Sequence, residues 1–473
     1  MAIQNNKRIL HLKEWQMLNP APTNSAAGSF IIKDPLGTER IALYVQSATV
    51  QYLYSIDEDG YMQLPSFALA GTFGAGACGA WSPWSNTLTA NGGSTTTVTT
   101  ATATLSYAVG KTIRFLSGSQ AGKEATITDI VVNPGGSDTI IFTPALSGAI
   151  VNTDTFTFQT GTFYVLNAGT VAANIFKSFD TATGVTTALG TTGLPATIGT
   201  DAKLIATPSY VGAYATGTAT SGSATTIVNS AKTWAVNQWC NYQVRITAGT
   251  GIGQIRTIIS NTATTLTIAS GATIDNTSVY SIEANDDFLY LIGNNAVTMY
   301  RYSKTSNTWT TLAPTTARTG TPGIGMSGNW IGKSGNAVWA DESAILDGRY
   351  IYSFRGAAGS LLDRYDIAGG TAGAGAWLAV TYIGAMETFT TGSSYDASGR
   401  YIYMLKDSTG RFFKYDTVGN YIYPVNTDTY TQGTAVLGDK LFTVTYTDGT
   451  GDDIEWIYYL INTSNVLRRL MIY

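Results

Sequence analysis

Two glycine-bearing stretches have the residue types of a phosphate-binding loop. The later one is VRITAGTGIGQIRTI (244–258), and IRFLSGSQAGKEATI (113–127) repeats its pattern. A phosphate loop needs a strand before it, a helix after it and usually Lys-Ser or Lys-Thr at its end, whereas here strands are expected on both sides and no such pair follows. We therefore predict structural roles, with positive φ in a hairpin or bulge for the glycines and a strand surface for the arginines. The residues concerned are Gly118, Gly122, Gly249, Gly253, Arg114 and Arg245.

Other candidates for chemistry are few. His11 is the only histidine, so histidine-based triads and copper sites lack their ligands, and a surface or packing role is favoured for it. GIGMSG (323–328) matches a dinucleotide-binding fingerprint literally. No parallel βαβ pattern surrounds it and no acidic residue follows at the expected distance, so it is predicted to be a loop.

Acidic residues cluster at three predicted turns: Asp57/Glu58/Asp59, Asp286/Asp287 and Asp452/Asp453. Because Asp supports turn geometry without any metal, a turn role is favoured over calcium binding. A glycosidase would need two facing carboxylates, and Asp341, Glu342 and Glu387 are the acids near aromatic-rich segments. No spacing supports a pair among them. The sequence predicts no catalytic, cofactor-binding or metal-binding residue.

Composition favours an all-β protein. Charged residues make up 12% and hydrophobic residues 44% of the 473, with abundant Gly and Tyr, which suits strands joined by tight turns around a sizeable core. A net charge of −4 and a pI near 5.1 disfavour nucleic acid and anionic membranes as partners. Without a secretion signal or a long apolar run, a soluble product of the cytoplasm is expected. Cys78 and Cys240 are expected to be buried hydrophobes and not a disulfide.

A turn followed by an aromatic strand recurs along the chain. The clearest copies are DGRYIYSF (347–354) and SGRYIYML (398–405). Four looser copies are TERIALYV (38–45), TGTFYVLN (160–167), NDDFLYLI (285–292) and LGDKLFTV (437–444). A further strand and a polar turn follow each copy, as in WIYYLINTSN (456–465), and a small-residue strand precedes it, as in TFTTGSSYD (388–396). Four strands repeated six times are typical of a β-propeller.

The spacing of Tyr302 and Trp309 resembles that of the kelch repeat, although the double glycine of kelch blades is mostly absent. This resemblance implies an all-β, six-bladed kelch-like β-propeller. A seventh blade that uses KRILHLKEW (7–15) is left open. In this arrangement the small-residue strand of each blade lies nearest the axis, and DASG (396–399) is the turn between the first and second strands of its blade.

Two long stretches interrupt the repeat and align with each other. STTTV (94–98) aligns with SATTI (223–227), NTDTFTF (152–158) aligns with NTSVYSI (276–282), and the arginines and glycines named above also correspond. The sequence therefore predicts one small β domain, duplicated, in the turn between the first and second strands of successive blades. The predicted divisions are propeller at 1–84, 161–215 and 285–473, and inserted domains at 85–160 and 216–284. GNWIGKSGNAVWADESAILDG (328–348) is expected to lengthen the same turn in the next blade.

The second insert, at 223–282, resembles a module that recurs in virion proteins of tailed bacteriophages, often in tail or fibre components. The first copy lacks the Trp-x-x-Asn-Gln-Trp segment found at 234–239. The resemblance implies a non-enzymatic structural or adhesive protein of a virion that is assembled in the host cytoplasm. It also implies an oligomer in the particle, whose partners are other virion proteins and a host-surface glycan or protein.

Three alternatives remain open at this point. The chain could be a capsid decoration or neck protein of the same kind of virion. It could be a carbohydrate-active enzyme, such as a depolymerase or lyase, built on a propeller scaffold. An intracellular kelch adaptor is disfavoured, because such scaffolds usually bind through a charged rim that this low-charge sequence does not show.

Overall fold

The computed structural model of the protein describes most of the chain, and the statements below concern the described residues. These are 16–23, 28–33, 41–71, 73–74, 76–101, 108–181, 183–199, 202–206, 213–292, 298–314, 349–355, 361–370, 373–384, 394–398, 401–406, 411–417, 419–425, 441–447, 453–461 and 465–472. They form 38 β-strands and no α-helix, so the all-β prediction is confirmed. Within these ranges, no helix has the length and apolar character needed to cross a bilayer. KRILHLKEW (7–15) lies outside them.

The strands are numbered along the chain. Before the first inserted stretch come β1 (Gln16–Met17), β2 (Phe30–Lys33), β3 (Ile41–Val45), β4 (Gln51–Ser55), β5 (Gly60–Leu64) and β6 (Cys78–Ser82). The stretch itself forms β7 (Leu88–Gly93), β8 (Thr97–Thr100), β9 (Thr112–Phe115), β10 (Glu124–Val131), β11 (Asp138–Thr143) and β12 (Asn152–Phe158). We call these six strands the first module.

The next strands are β13 (Thr162–Leu166), β14 (Gly169–Thr170), β15 (Phe176–Asp180), β16 (Thr186–Ala188), β17 (Thr197–Ile198) and β18 (Lys203–Ala206). The second inserted stretch forms β19 (Ala215–Thr218), β20 (Ser221–Gly222), β21 (Thr226–Val228), β22 (Gln243–Ala248), β23 (Ile255–Asn261), β24 (Thr265–Ile268) and β25 (Val279–Glu283). We call these seven strands the second module.

The remaining strands are β26 (Phe288–Ile292), β27 (Met299–Ser303), β28 (Thr308–Leu312), β29 (Tyr350–Arg355), β30 (Leu361–Asp366), β31 (Ala376–Val380), β32 (Ser394–Ser398), β33 (Tyr401–Leu405), β34 (Phe412–Asp416), β35 (Tyr421–Val425), β36 (Leu441–Thr447), β37 (Asp453–Leu460) and β38 (Leu467–Ile472). Because β32 continues to Ser398, the turn expected at 396–399 is wrong.

Outside the modules, six antiparallel sheets repeat one strand order, and we call them units 1 to 6. They are β2-β3-β4-β5, β6-β13-β15-β16, β18-β26-β27-β28, β29-β30-β31, β32-β33-β34-β35 and β36-β37-β38-β1. A separate pair joins β14 to β17. The first module leaves unit 2 between its first and second strands, and the second module leaves unit 3 at the same position. The two modules therefore follow the first strands of two consecutive sheets.

The first strands of five units lie side by side. β2 lies against β6 and β36, β6 also lies against β18, and β36 also lies against β32. The apolar residues of β2, β6 and β18 are buried, but the expected small residues occur in CGAWS (78–82) and in SYDAS (394–398), whereas β2 reads FIIK and β18 reads KLIA. At Gly79 a Cβ atom would stand 2.7 Å from the Tyr164 carbonyl oxygen and 2.8 Å from Ile32 Cδ1. A small residue is required there because of this close packing.

The second strands carry the aromatic pattern predicted from the sequence. All five residues of β13 and of β26 are buried, because neighbouring strands flank them and other units cover their faces. Four of the six predicted aromatic strands, β3, β13, β26 and β33, hold this second position, and a fifth, β29, is an edge strand among the three described strands of unit 4. The sixth prediction is wrong: the strand within 437–444 is β36, the first strand of unit 6, and 456–465 overlaps β37, its second strand. The physical reason is that β1 pairs with β38 through Gln16 and Met17, so the end of the chain needs only three strands.

A recurrent hydrogen bond closes the turn after the third strand of several units. A tyrosine hydroxyl donates to an Asp or Asn five residues later, and that acceptor has a left-handed backbone. The pairs are Tyr54 and Asp59 (2.8 Å, φ 49°), Tyr302 and Asn307 (2.6 Å, φ 54°), and Tyr415 and Asn420 (2.9 Å, φ 56°). In unit 2 the same positions hold Phe179 and Gly184 (φ 69°). Where no hydroxyl is present to bond a side chain, glycine takes the left-handed position.

The two modules share one strand order. In the first, β10-β11-β8-β7-β12-β9 close into a barrel. In the second, the strand order is β19-β25-β22-β23-β24-β21-β20. Each of these strands has the same neighbours as its counterpart in the first module, and β19 and β20 together correspond to β7. The register shift between Ile127 and Asp129 in the first recurs between Ile258 and Ser260 in the second. The pairings therefore match in strand order and at this irregularity.

Three charged side chains line a small cavity among the first strands of the units. The cavity has a volume of about 50 Å³ and contains Lys33, Lys203 and Asp396. Lys33 Nζ lies 3.6 Å from Asp396 Oδ2, which also accepts hydrogen bonds from the Thr443 amide and hydroxyl. Burial lowers the pKa of Lys203 to about 8, and nearby Asp396 opposes this shift.

Lys203 makes the stability of the fold depend on pH. Because its folded pKa of about 8 lies below the ordinary 10.5, the unfolded chain binds more protons between these values and stability rises with pH there. We expect the urea midpoint of the wild type to rise relative to that of Lys203→Met from pH 8 to pH 10. Below pH 7 the difference between the two midpoints should stay constant. Parallel values over the whole range would contradict the shifted titration.

The turn after β34 tests the tyrosine hydrogen bond. Asn420→Ala removes the acceptor of Tyr415 and places a Cβ-bearing residue without a polar side chain at φ 56°, so we expect a loss of about 2 kcal/mol. Asn420→Gly and Tyr415→Phe lose only the hydrogen bond and should each cost about 1 kcal/mol. Chemical unfolding of the three variants measures the difference. Equal losses for Asn420→Ala and Asn420→Gly would show that the backbone contributes nothing.

Candidate functional site

The two modules meet through equivalent glycine loops. Gly122 lies between β9 and β10 and Gly253 between β22 and β23, and their φ angles are 76° and 85°. Their amides close the two hairpins in the same way, to the Phe115 carbonyl at 2.6 Å and to the Ile246 carbonyl at 2.8 Å. Both glycines are thus left-handed, which is the conformation that a role in a hairpin requires.

The contact between these loops leaves no room for side chains. A Cβ atom at Gly122 would stand 2.4 Å from Gly253 Cα, and one at Gly253 would stand 1.6 Å from the Ala121 carbonyl oxygen. The other two aligned glycines have φ angles of 76° (Gly118) and 75° (Gly249). Each of these packs inside its own module, Gly118 toward Asp154 and Gly249 toward the Thr277 carbonyl.

Glu124 joins the two aligned arginines. Arg114 Nε donates to Glu124 Oε1 at 2.7 Å, and Arg245 Nη1 reaches the same oxygen from the second module at 3.2 Å. Arg245 Nη1 also donates to the Gly122 carbonyl at 3.2 Å. The position aligned with Glu124 in the second module is Ile255, since it pairs with Arg245 as Glu124 pairs with Arg114. One carboxylate therefore serves both arginines and ties the modules together.

Each arginine has a second acidic partner. Arg245 Nη2 lies 2.6 Å from Glu283 Oε1, and Arg114 Nη1 lies 3.4 Å from Asp286 Oδ2. Burial opposes the charge of Arg245, but Glu283 and then Glu124 outweigh it and raise the pKa of the guanidinium. The Arg114 guanidinium also stacks 3.9 Å above the Trp84 ring. Both side chains are thus fixed in place, beyond the strand-surface role predicted for them.

A cleft of about 1100 Å³ opens beside this cluster. Both modules contribute to it, together with the segment at 84–87 and the edges of units 2 and 3. Charged groups from several elements face it: Arg114 from β9, Arg256 from β23, Asp286 and Asp287 before β26, and Lys304 after β27. We define this space, between the modules and units 2 and 3, as the cleft, and it is the candidate functional site.

The two aspartates of the cleft support structure. Asp286 pairs with Arg114, while Asp287 accepts hydrogen bonds from the Ser303 hydroxyl at 2.6 Å and the Thr305 amide at 2.7 Å. Lys304 Nζ donates to Ser82 Oγ at 2.9 Å. Burial lowers the pKa of Lys304, and both aspartates oppose that shift. Asp287 thus has the turn role that was predicted. Asp286 pairs with Arg114, which the sequence pattern did not predict.

Tyr302 and Trp309 are core residues of unit 3. They are cross-strand partners in β27 and β28, with ring centroids 5.1 Å apart. Phe176 packs against both rings, and the Trp309 indole nitrogen donates to the Gly190 carbonyl at 3.1 Å. The spacing that resembles a kelch repeat therefore reflects packing between the third and fourth strands of one unit and the edge of its neighbour.

Several residues weighed in the sequence lie outside the described part of the chain: His11, GIGMSG (323–328), Asp341, Glu342, Glu387, Asp452 and the stretch 328–348. Among the described residues, no group of three or more His, Cys, Asp or Glu side chains could hold a metal ion.

Asp59 accepts from the Asn19 amide at 2.8 Å as well as from Tyr54. Cys78 and Cys240 are free and buried, as expected.

Sequence reasoning missed the residue that seats the second module on its neighbours. Asn241, with φ 66°, donates through Nδ2 to the Ile367 carbonyl at 2.6 Å and the Gly373 carbonyl at 2.9 Å. Its Oδ1 accepts from Arg301 at 2.7 Å. The side chain thus links the second module to units 3 and 4. Its partners are distant in sequence, so local pattern carries no signal for it.

Gly122→Ala tests whether the glycine contact holds the modules together. Gly135→Ala is the matched control, because Gly135 also has positive φ (83°) in the first module but its Cβ would meet nothing within 4 Å. We expect Gly122→Ala to cost about 1–3 kcal/mol more than Gly135→Ala, since it must also separate two backbones. It should also speed amide exchange at 250–254 in the second module. Equal stability losses with unchanged exchange would show that the contact is dispensable.

No protein-family model and no curated protein matches the chain. The roles of the cleft residues therefore follow from their geometry and chemistry.

Proposed function

We propose that the chain is a kelch-like β-propeller of six blades, in which units 1 to 6 are the blades and the two modules are inserted domains. The side-by-side first strands of units 5, 6, 1, 2 and 3 support this architecture, since first strands surround the axis of a propeller. The strand at Gln16–Met17 completes the unit formed by the last three strands. Such pairing of the two chain ends joins the final blade to the first.

We further propose that the protein acts by contact, as a non-enzymatic structural or adhesive component of a tailed-bacteriophage particle. The observation that carries the contact role is the pairing of the modules. Two modules of the same strand order leave adjacent units at equivalent positions and hold each other through Gly122, Gly253 and Glu124. A paired platform built on rigid sheets presents a defined surface, and binding residues commonly lie on such loops and inserts.

Placement in a virion depends on the resemblance of 223–282 to a phage module. Within the proposal, the propeller contacts other virion proteins, and the modules contact a further subunit or the host surface. Tail, baseplate and fibre are the positions that the resemblance favours, and assembly takes place in the host cytoplasm. The buried charged groups of the cleft are engaged with one another, which suits a binding surface more than proton transfer.

Particles offer a direct test. We expect mass spectrometry to find the chain in purified virions at a fixed copy number, and gold-labelled antibodies against the second module to mark one site on them. Particles made without the chain should lose structure, adsorption or infectivity. A chain that is abundant in infected cells but missing from purified particles would refute the virion role.

A matched pair of variants tests the contact surface within the particle. Arg245→Ala removes the hydrogen bonds to Glu124 and Gly122. It should reduce adsorption or assembly, because these bonds no longer hold the two modules at a fixed separation. Arg411→Ala removes an exposed arginine of unit 5, remote in sequence from the modules, and should leave both unchanged. The readouts are plaque titre and the rate of adsorption. Equal plaque titres and adsorption rates for the two variants would show that the paired modules do not form the contact surface.

A further inference from the structure

The cleft has the size of a binding site for an extended ligand. Its volume of about 1100 Å³ is at the upper end of ordinary ligand sites. Three structural parts border it, because Asn86 comes from the linker to the first module, Arg256 from β23 of the second module and Thr305 from the turn after β27. Polar groups thus converge on the space from separate sides.

Several of these groups keep unused hydrogen-bonding capacity. Among the described residues, the side-chain amide of Asn86 and the hydroxyl of Thr305 have no hydrogen-bond partner, although both backbone amides are bonded. Gln254 Oε1 accepts from the Thr273 amide at 2.9 Å, which leaves its Nε2 donor available. Arg256 donates to the Ile255 and Gly271 carbonyls and has further N–H donors. A ligand with many hydroxyl groups could satisfy all four.

The aromatic side chains of the wall are covered. Trp84, Tyr164, Phe288 and Tyr302 border the cleft, but each is buried, with exposed fractions of 7% or less. A peptide partner would need an open socket for an apolar anchor, and these rings are already covered. Ile259, 42% exposed, offers one apolar surface of the kind that can face the C–H side of a sugar ring.

The charges of the cleft disfavour two other ligand classes. Asp286 and Asp287 lie in it, and Glu124 pairs with its Arg114, so the wall does not form the continuous basic surface that a nucleic-acid backbone requires. Both aspartates are already engaged, whereas Arg256 has no carboxylate partner among the described residues. The wall therefore accepts hydroxyl groups and isolated carboxylates but opposes dense negative charge.

We propose that this cleft binds an oligosaccharide, neutral or weakly acidic, which in the proposed adhesive role belongs to the host surface. The inference rests on that role for the source of the glycan, while the chemistry of recognition rests on the cleft alone. Asn86, Gln254, Arg256 and Thr305 contact its hydroxyl groups, and Ile259 faces one sugar ring. These residues come from three parts of the chain: Asn86 precedes the first module, Gln254, Arg256 and Ile259 belong to the second module, and Thr305 belongs to unit 3.

The test uses the purified full chain on an array of bacterial capsular and O-antigen oligosaccharides. We expect binding to a defined subset, and a loss of about tenfold in affinity for Asn86→Ala/Thr305→Ala, since two hydrogen bonds are removed without any bond within the protein. The matched control is Asn133→Ala/Thr262→Ala, which truncates two exposed residues outside the cleft. The control should bind like the wild type.

The outcomes separate this inference from the proposed virion role. Absence of binding to every saccharide, or equal affinity of the cleft variant and the control, would overturn the glycan site, even if the chain is present in virions. Binding that depends on Asn86 and Thr305, by a chain that is missing from virions, would support the site and overturn the virion role. Far-ultraviolet circular dichroism of the variants confirms that each is folded.

Discussion

The contact between Gly122 and Gly253 is the constraint on which the candidate site depends. Two backbones can approach this closely only if neither position carries a Cβ atom, and both loops need a left-handed residue at that point. Glycine meets both demands. The contact sets the separation of the modules, which in turn sets the width of the cleft, and Arg245 and Glu124 then hold that separation with directed hydrogen bonds.

The two modules are equivalent in strand order and different in chemistry. Arg114 and Arg245 occupy corresponding strand positions, but Glu124 is matched by Ile255. A duplicated Glu would place a second carboxylate near the same pair of arginines, while the single Glu leaves Arg245 free to bridge the modules. The two guanidinium groups are mostly buried, whereas the Glu124 side chain is 34% exposed, so water screens its pairing with them in part. The difference between Glu124 and Ile255 thus lets one carboxylate join the two modules into a single surface.

The repeated units are held to one geometry by local turn chemistry. Tyr302 and Tyr415 bond to left-handed Asn residues, and Phe179 is followed by glycine at the same distance. This pairing of residue types fixes where the fourth strand begins and therefore how unit edges meet. The cleft is built on such an edge, since Asp287 also orders the turn after β27.

The sequence by itself determined the all-β class, the duplicated module, the left-handed glycines and four of the six aromatic second strands. These follow from local preferences, because alternation, turn residues and positive φ depend on neighbours in the chain. Tertiary structure decided the rest. The place of β36 depends on its distant partner β1, and the roles of Glu124 and Asn241 depend on residues of other elements. Such contacts join positions far apart in the chain, so no local pattern specifies them.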